Sequence, residues 1–471
     1  MSPNNVAYSK NKSLDWLSLS IYFSLVIIGW FMVFSTLYDE QNPYAFMDIR
    51  TPVGAQTVWV AVSLLIFLAT LVVDWKFWNV VAFPLYGISL ILLILVLIFG
   101  KEINGAKAWF SFGFFSIQPA EWAKFATALA VSSYLSFNKT SLVDKNTFAI
   151  ALSLFLAPAL LVLLQPDLGS ALVFLSFFVL LYRRGMSPIV LIIAFIFALV
   201  FIFALVYNPG YVSLFLLYLG TIVLIFNYDS IQRAALYALL LLAAIIFMLI
   251  QKETTWIYVL TGVIFVIFMV LQFLKKNYKL IFLTAASISV FSAFAFTTDY
   301  IFNNVLKPHQ QDRINVWLRP ERCDPRGSLY NIIQSKMAIG SGGFAGKGFL
   351  NGEMTKLNYV PEQSTDFIFT SIGEEQGFIG SVGVILLFTM LLIRCVIIAE
   401  RANLEFIRNY GYSVAGILFI HFLFNIGMTT GLLPVVGIPL PFISKGGSSL
   451  TAFSIMIGVL IRMDMARFRA N

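Results

Sequence analysis

The chain has 471 residues, of which 59% are hydrophobic and only 11% are charged, with a formal net charge of +8. A soluble protein of this length needs a hydrated surface, and so little charge cannot cover one. These values exclude a soluble globular protein and predict a protein embedded in a lipid bilayer. We interpret the excess of lysine and arginine as orienting membrane helices, not as binding nucleic acid.

Apolar runs of membrane-spanning length recur along almost the whole chain. An α-helix needs about 20 apolar residues to cross the hydrocarbon. The first run is too long for a signal-peptide core, so we expect it to remain as an anchor. The runs predict an all-α polytopic membrane protein of about 14 transmembrane helices, at approximately 14–37, 55–73, 77–99, 118–137, 147–164, 168–182, 187–207, 211–227, 233–250, 255–274, 279–297, 367–393, 407–431 and 447–462.

Lysine and arginine distinguish the two sides of the predicted membrane, because loops rich in these residues stay in the cytoplasm. With residues 1–13 in the cytoplasm, every predicted inner loop carries at least one of them, whereas the short outer loops hold few. We therefore predict that both termini are cytoplasmic. The one long loop, 298–366, then lies outside and forms a large extracytoplasmic loop.

A glycine-dense stretch, AIGSGGFAGKGF (338–349), lies in this long loop. A nucleotide-binding P-loop has the pattern G-x-x-x-x-G-K-[ST], but the Gly-Lys pair here is followed by Gly348, and Ser341 stands where the first glycine belongs. We expect no bound nucleotide. The glycines and Lys347 instead favour an anion such as a lipid pyrophosphate, with a merely flexible loop as the alternative.

Polar residues at membrane depth are costly and are usually retained for a reason. In NGAKAWFSFGFFSIQPAEWAK (104–124), Glu121 and Lys124 are three residues apart and share one helix face. This spacing is typical of a structural ion pair and also of a substrate-facing pair. In LLQPDLGSAL (163–172), Asp167 either caps the helix that follows or contributes to a site.

Two further regions break the apolar pattern on the predicted outer side. Asp324 lies between arginines of the long loop, and Glu374 lies just inside an apolar helix. The segment GLLPVVGIPLPFISKGGSSL (431–450) contains three prolines and four glycines and indicates an unwound element lining a site. The two histidines, His309 and His421, have no ligand-spaced partners, so a zinc site is not expected.

At these clusters the sequence resembles the SEDS family (shape, elongation, division and sporulation), and its RodA branch more than its FtsW branch. The matching motifs occur in family order: GAKxW…QPAEwxK, QPDLGSAL, DPxGSxYNIIQSxxAIGSGGFAGKG, LxYVPEQSTDFIFTSIGEE and GIPLPFISKGGSS. The similarity spans roughly 14–182 and 279–465. Because family members usually have about ten helices, the four helices of 187–274 look like an insertion, with 279–297 as a core helix and 367–471 as the second part of the core.

The resemblance implies a peptidoglycan glycosyltransferase that polymerises lipid II at the outer face of the bacterial cytoplasmic (inner) membrane during cell elongation and shape maintenance. Its implied partners are a class B penicillin-binding protein and other elongation proteins. The family's essential acid falls on Asp324 and its motif tryptophan on Trp109. Further candidate substrate-binding residues are polar side chains of the matching motifs: Lys107, Glu121, Lys124, Gln165, Asp167, Gln334, Ser335, Ser341, Lys347, Glu362, Thr365, Asp366, Glu374, Ser444, Lys445 and Ser448.

Glycosyl transfer fits these residue types. A sugar 4-hydroxyl must attack the anomeric carbon of the growing chain as undecaprenyl pyrophosphate leaves, so a general base and positive charge at the leaving group are needed. Asp324 as the base and Asp324 as a ligand of a divalent cation (Mg²⁺ or Mn²⁺) are both open. Direct displacement predicts inversion at the anomeric carbon.

Some residues depart from the family pattern, and two other functions compete with this one. Ala108 stands where the family has arginine, Lys445 replaces a tyrosine, and Gln363-Ser364 replace arginine and histidine. A flippase for lipid-linked precursors is the main alternative, since charged residues inside many helices are typical of transporters. The chain has no evident inverted repeat, which favours the enzyme. A non-catalytic scaffold, in which Asp324 is dispensable, is the third hypothesis.

Overall fold

A computed structural model of the chain describes residues 14–39, 44–103, 105–111, 116–137, 144–228, 231–250, 254–306, 308–324 and 329–466. Within these ranges the protein is predominantly helical. It groups into two compact units. The first unit contains Met1–Ser187 and Asp324–Asn471, and the second contains Pro188–Cys323. The predicted cytoplasmic segment 1–13 lies outside the described residues.

Every predicted membrane segment coincides with helical structure. Among the described residues, eleven helices are long and apolar enough to cross a membrane. Leu168–Arg183 is apolar but shorter, Ile231–Ile250 is apolar over the part Ile231–Ile246 whose side chains the structure describes, and Pro119–Phe137 carries two charges in its first turns. The all-α, multi-pass membrane fold is therefore confirmed, whereas the count of about 14 spans is not.

The first unit is built around a C-terminal helix, Gly447–Met465. In the 18-residue stretch of this helix that could cross a membrane, 89% of the residues are buried inside the protein. Because this helix is surrounded by protein, it needs less hydropathy than a lipid-facing helix. Tyr22 donates a hydrogen bond to Ser454 on it at 2.9 Å. The helices of the unit are Trp16–Thr36, Pro52–Val72, Trp75–Val80, Ala82–Phe99, Pro119–Phe137, Lys145–Leu164, Leu168–Val173, Phe177–Arg183, Tyr330–Ser341, Glu353–Lys356, Ile368–Glu400, Glu405–Thr430 and Gly447–Met465, with 3-10 turns at Ala45–Met47 and Phe174–Ser176.

A small antiparallel sheet, which the sequence analysis did not predict, lies between two helices of the first unit. Its strands are Lys101–Ile103, Ala106–Ser111 and Ser116–Ile117, in that order. Lys101 is paired with Trp109, so the sheet fixes the backbone of the first motif. A polar hairpin between apolar helices satisfies its own backbone hydrogen bonds, which a loop near the membrane surface requires.

Ion pairs collect at one end of the first unit. Arg394 donates to Asp15 at 2.7 Å, and Arg401 contacts both Asp15 and Asp464. Asp15 is also the N-cap of the first helix, where its side chain accepts from Ser18. These contacts join the start of the first helix to the ends of two later ones, as an alternating up-and-down topology requires.

The second unit consists of the helices Pro188–Val206, Pro209–Phe226, Ile231–Ile250, Thr254–Leu274, Tyr278–Asn304 and Pro308–Leu318 and the 3-10 turn Pro320–Arg322. Its core includes Val200, Ala204, Val212 and Ala295. The helix Tyr278–Asn304, assigned above to the core, packs in this unit against Pro209–Phe226. The compact unit thus extends beyond 187–274, and the insertion itself stays a prediction.

Candidate functional site

The glycine stretch (338–349) packs against a break in the helix Ile368–Glu400 and supplies hydrogen-bond partners for the backbone there. We call this helix the broken helix. Gly377 interrupts this helix with φ 64° and ψ −157°. In an unbroken helix the carbonyl of Glu374 would accept from the amide of Phe378, four residues on. Instead the Glu374 carbonyl accepts from the Lys347 amide at 3.1 Å, and the Phe378 amide donates to the Gly343 carbonyl at 2.9 Å.

The next turn of the broken helix is completed in the same way. The carbonyl of Glu375 accepts from the Gly348 amide at 2.9 Å, and the amide of Ile379 donates to the Phe344 carbonyl at 3.2 Å. These four backbone groups, which the break releases, therefore find partners in the glycine stretch, as buried backbone groups usually do. The amides of Lys347 and Gly348 donate to the broken helix and so do not face an anion in this structure, while the anion site and the flexible loop both stay predictions.

Glycine is required where the two backbones meet. A Cβ on Gly346, whose φ is +81°, would lie 2.2 Å from the Glu375 carbonyl oxygen, and a Cβ on Gly342 would lie 2.0 Å from the Gly373 oxygen. No side chain fits such distances without moving backbone atoms. The glycines therefore permit close packing of one backbone on another.

Lys347 is held by carboxylates of the protein. Its ammonium lies 3.0 Å from Glu374 and 3.4 Å from Glu353. The hydrogen bond to Glu374 raises the pKa of Lys347 above its ordinary value. The fully buried Glu374 also accepts from the Met354 amide and from the amide and hydroxyl of Thr355. Lys347 is thus charge-compensated in this structure, and its predicted contact with substrate stays a prediction.

A second group of candidates is formed by two loops that we call the PEQSTD turn (361–366) and the proline segment (431–446). The hydroxyl of Ser444 donates to the Thr365 carbonyl at 2.6 Å, and the amide of Lys445 donates to the Ser364 carbonyl at 2.8 Å. Burial lowers the pKa of Lys445, while Glu362 opposes this shift. The structure therefore brings these predicted residues together.

Asp167 connects two of the predicted clusters. One of its carboxylate oxygens accepts from the Ser170 amide at 3.0 Å, which confirms the capping interpretation. The other accepts from the side chain of Gln118 at 2.8 Å, at the end of the first motif. Gln165 is fully buried and donates to the Leu93 carbonyl at 3.1 Å. Asp167 thus has a structural role, and a contribution to substrate binding is compatible with its half-buried position.

The first motif presents alternating side chains from its strand. Lys107 and Trp109 are half-buried, whereas Ala108 between them is fully buried. Lys107 donates to the Ile98 carbonyl at 2.9 Å, which ties the strand to the preceding helix.

Several predicted substrate-binding side chains are inaccessible in this structure. Glu121 and Lys124 form an ion pair at 2.7 Å with both side chains 1% exposed. Ser335 is fully buried and hydrogen-bonds Thr370 and the Thr429 carbonyl. These contacts favour a structural role for side chains of the buried group, which comprises Glu121, Lys124, Gln165, Ser335, Glu374, Ser444 and Ser448.

The accessible candidates include the predicted catalytic acid. Asp324 is exposed and follows the turn Pro320–Arg322; residues 325–328, which complete its motif, lie outside the described residues. The other candidates with exposed or half-buried side chains are Lys107, Trp109, Asp167, Gln334, Ser341, Lys347, Glu362, Thr365, Asp366 and Lys445. Within the described part of the chain, no cluster of three or more His, Cys, Asp or Glu is arranged to hold a metal ion.

Two residues whose structural role the sequence analysis did not predict, His421 and Asn425, lie beside the proline segment. Both are fully buried. Nδ1 of His421 donates to the Pro439 carbonyl at 3.0 Å, and Nδ2 of Asn425 donates to the Ile438 carbonyl at 2.8 Å. The available signal was their spacing of four residues in a helix that precedes a proline-rich segment in need of hydrogen-bond donors.

Comparison with known proteins identifies the family. The family model for FtsW, RodA and SpoVE, described as "Cell cycle protein", matches residues 15–221 and 215–468. The "Peptidoglycan glycosyltransferase RodA" of Treponema pallidum is 30% identical over 450 residues, covering 96% of this chain and 97% of that protein. The "Peptidoglycan glycosyltransferase MrdB" of Escherichia coli K12 is 33% identical over 384 residues, covering 81% and 77%.

Solved structures agree with this similarity. A chain from a structure described as "Structural coordination of polymerization and crosslinking by a peptidoglycan synthase complex" matches with a TM-score of 0.62 and 26% identity, covering 97% of this chain and 98% of that chain. A crystal structure of the rod shape determining protein RodA of Thermus thermophilus matches with a TM-score of 0.55 and 24% identity over the same shares, which is a likeness of fold. The chain therefore belongs to the FtsW/RodA/SpoVE family.

Proposed function

We propose that the protein is a peptidoglycan glycosyltransferase that polymerises lipid II during cell elongation. The observation that carries this proposal is the similarity over nearly the whole chain to relatives named peptidoglycan glycosyltransferases. The exposed Asp324 and the cationic Lys445 beside the PEQSTD turn supply the two kinds of group that the reaction needs.

The reaction is a displacement at an anomeric carbon. The 4-hydroxyl oxygen of the acceptor sugar bonds to the anomeric carbon of the growing chain, and the bond from that carbon to the pyrophosphate oxygen breaks. Asp324 accepts the hydroxyl proton as general base. Undecaprenyl pyrophosphate leaves as an anion, and the ammonium groups of Lys445 and Lys107 stabilise its charge. One displacement inverts the configuration of the carbon.

The second role proposed for Asp324, in place of the general base, is to hold a divalent cation such as Mg²⁺ or Mn²⁺. The single carboxylate of Asp324 suits a hard cation that takes its other ligands from water and from pyrophosphate oxygens. Bound there, the cation would supply positive charge to the leaving group. Removal of divalent ions with a chelator is expected to slow polymerisation, and unchanged rates would remove the cation from the account.

The membrane topology and the partner are also proposed. The ion pairs of Asp15, Arg394 and Arg401 lie at the end of the first unit that we place in the cytoplasm, since loops rich in arginine stay there. Both termini are then cytoplasmic, and the PEQSTD turn faces outward, where exported lipid II is available. A class B penicillin-binding protein, which cross-links the strands, is the proposed partner, because a similar chain occurs in a structure described as a peptidoglycan synthase complex.

Lipid II polymerisation by the purified complex tests the function. Labelled lipid II is supplied to the parent chain, to Asp324→Ala and to the matched control Asp312→Ala, which removes another exposed acid of the long loop. Long glycan strands are expected from the parent and the control, and none from Asp324→Ala. Equal polymer from all three would remove Asp324 from the mechanism. No polymer from any of them, with lipid II transported across vesicles, would favour the flippase.

A further inference from the structure

The proline segment satisfies only part of its own backbone hydrogen bonding. Pro439 and Pro441 have no amide hydrogen, so neither can donate to a neighbouring carbonyl. Within this irregular segment the Leu440 carbonyl accepts from the amides of Ile443 and Ser444, whereas other carbonyl groups take their donors from elsewhere in the protein. Two of them, on Ile438 and Pro439, find donors on the helix Glu405–Thr430, which we call the clamp helix.

Asn425 joins two loops through a single amide group. Its Nδ2 atom lies 2.8 Å from the Ile438 carbonyl of the proline segment and 2.8 Å from the Asp366 carbonyl of the PEQSTD turn. Because both neighbours are acceptors, the side-chain nitrogen and not the oxygen must face them. Both amide hydrogens of Asn425 are thereby used, and the two loops are held at a fixed separation.

The surroundings of His421 determine where its proton lies. Nδ1 lies 3.0 Å from the Pro439 carbonyl, which can only accept, so Nδ1 carries the hydrogen. Nε2 lies 3.0 Å from the ammonium of Lys124, which can only donate. A fully buried imidazole between these two neighbours is neutral and has its proton on Nδ1. The Lys124 ammonium therefore donates both to Nε2 and to Glu121.

These contacts form a continuous path from the buried ion pair to the outer loops. Glu121 holds Lys124, Lys124 fixes the tautomer of His421, and His421 holds the Pro439 carbonyl. Pro439 lies a few residues before Lys445 on the same segment. Side chains inside the bundle are thus linked by hydrogen bonds to the segment that carries the half-buried Lys445.

We propose that His421 and Asn425 are positioning residues that hold the proline segment against the PEQSTD turn. In this arrangement the Glu121–Lys124 pair acts through His421 and does not touch substrate. The inference deepens the proposed function, on which it rests, because the groups that it positions include Lys445.

The tautomer of His421 can be measured without any assay of activity. The chain has two histidines, so ¹⁵N-histidine labelling of the full protein in bilayers gives two sets of ring signals, and His309→Gln removes one of them. We expect a protonated Nδ1 and a non-protonated Nε2 for His421. A proton on Nε2, or on both nitrogens, would overturn the inference even if the protein polymerises lipid II.

Two conservative variants then separate the contacts of His421. The amide nitrogen of asparagine reaches the place of Nδ1, whereas the amide of glutamine reaches the place of Nε2. His421→Asn can therefore keep the bond to Pro439, and His421→Gln can keep the bond to Lys124. Ser413→Ala, which removes a buried hydroxyl earlier on the clamp helix, is the matched control.

Each variant is compared with the parent in unfolding temperature and in the rate of lipid II polymerisation. We expect His421→Asn and the control to retain most of the parent rate, and His421→Gln to lose roughly tenfold or more at a similar unfolding temperature. Equal losses in both variants, or retention by His421→Gln alone, would overturn the positioning role. A parent that makes no polymer would contradict the proposed function, while the tautomer measurement would still decide the inference.

Discussion

Substitution of Gly346 by alanine tests whether the backbone of the glycine stretch packs directly on the backbone of the broken helix. The added Cβ would lie 2.2 Å from the Glu375 carbonyl oxygen and 2.6 Å from a backbone carbon of Gln376. Both contacts are to backbone atoms, which cannot move aside as a side chain can. Gly346→Ala must therefore shift the stretch away from the broken helix and strain the amides that donate to Glu374 and Glu375.

The magnitude follows from two costs. A non-glycine residue in the left-handed conformation of Gly346, with φ +81°, costs roughly 1–2 kcal/mol. Leaving a buried carbonyl without its donor costs roughly 1–3 kcal/mol. We therefore expect Gly346→Ala to lower the free energy of unfolding by about 2–5 kcal/mol.

Two other glycines of the same stretch separate these costs. At Gly343, φ is +56° and an added Cβ would meet no atom within 4 Å, so Gly343→Ala carries the conformational cost alone. At Gly340, which is helical, a Cβ also meets nothing within 4 Å, so Gly340→Ala should be neutral or stabilising by roughly 0.5–1 kcal/mol. Thermal unfolding in detergent should rank the variants Gly340→Ala, Gly343→Ala and Gly346→Ala in falling stability. Equal unfolding temperatures for the first and the last would refute the close docking of the two backbones.

Three further predictions concern charged groups. Asp324→Asn should slow polymerisation by roughly 100-fold or more with the unfolding temperature unchanged, and a parental rate would contradict its role as base. Burial raises the pKa of Asp15, but hydrogen bonds led by the one from Arg394 outweigh burial and hold the pKa below the ordinary 3.8. The stabilisation by ionised Asp15 is therefore present above pH 3.8 and is lost as the pH falls through the pKa of the folded state. Asp15→Asn should weaken this dependence of stability on acid, and identical unfolding profiles of variant and parent over pH 3–7 would argue against it. Because burial lowers the pKa of Lys445 below its ordinary 10.5, we expect the rate of polymerisation to decline at an alkaline pH that is still below 10.5. Lys445→Arg should move this decline to higher pH, since arginine stays protonated.

The sequence predicted the helices well because membrane helices are specified by long apolar runs. Even Pro119–Phe137, whose Glu121 and Lys124 lower its hydropathy, is a helix as predicted. The count of spans could not be settled in this way, since Leu168–Arg183 is shorter than a typical span and Pro119–Phe137 carries Glu121 and Lys124 in its first turns. The small sheet was missed because its strands, the longest being Ala106–Ser111, are short and lack a clear alternating pattern.

Within the candidate site, motif residues were recognised but their contacts were not. Glycine-rich sequence is equally compatible with an anion cradle and with close packing of backbones, and the packing of this stretch on the break at Gly377 is visible only in the structure. His421 was considered only as a metal ligand, because its partners Lys124 and Pro439 are far away in the sequence. Hydrogen bonds between distant segments carry no periodic signal that a single sequence could reveal.

The central claim is that this chain forms glycosidic bonds from lipid II. The most direct measurement incubates the purified protein and its proposed penicillin-binding partner with labelled lipid II, and follows both glycan length and free undecaprenyl pyrophosphate over time. We expect strands to lengthen while undecaprenyl pyrophosphate is released in proportion to the disaccharides joined. Lipid II that remains chemically unchanged, with no pyrophosphate released, would contradict the account.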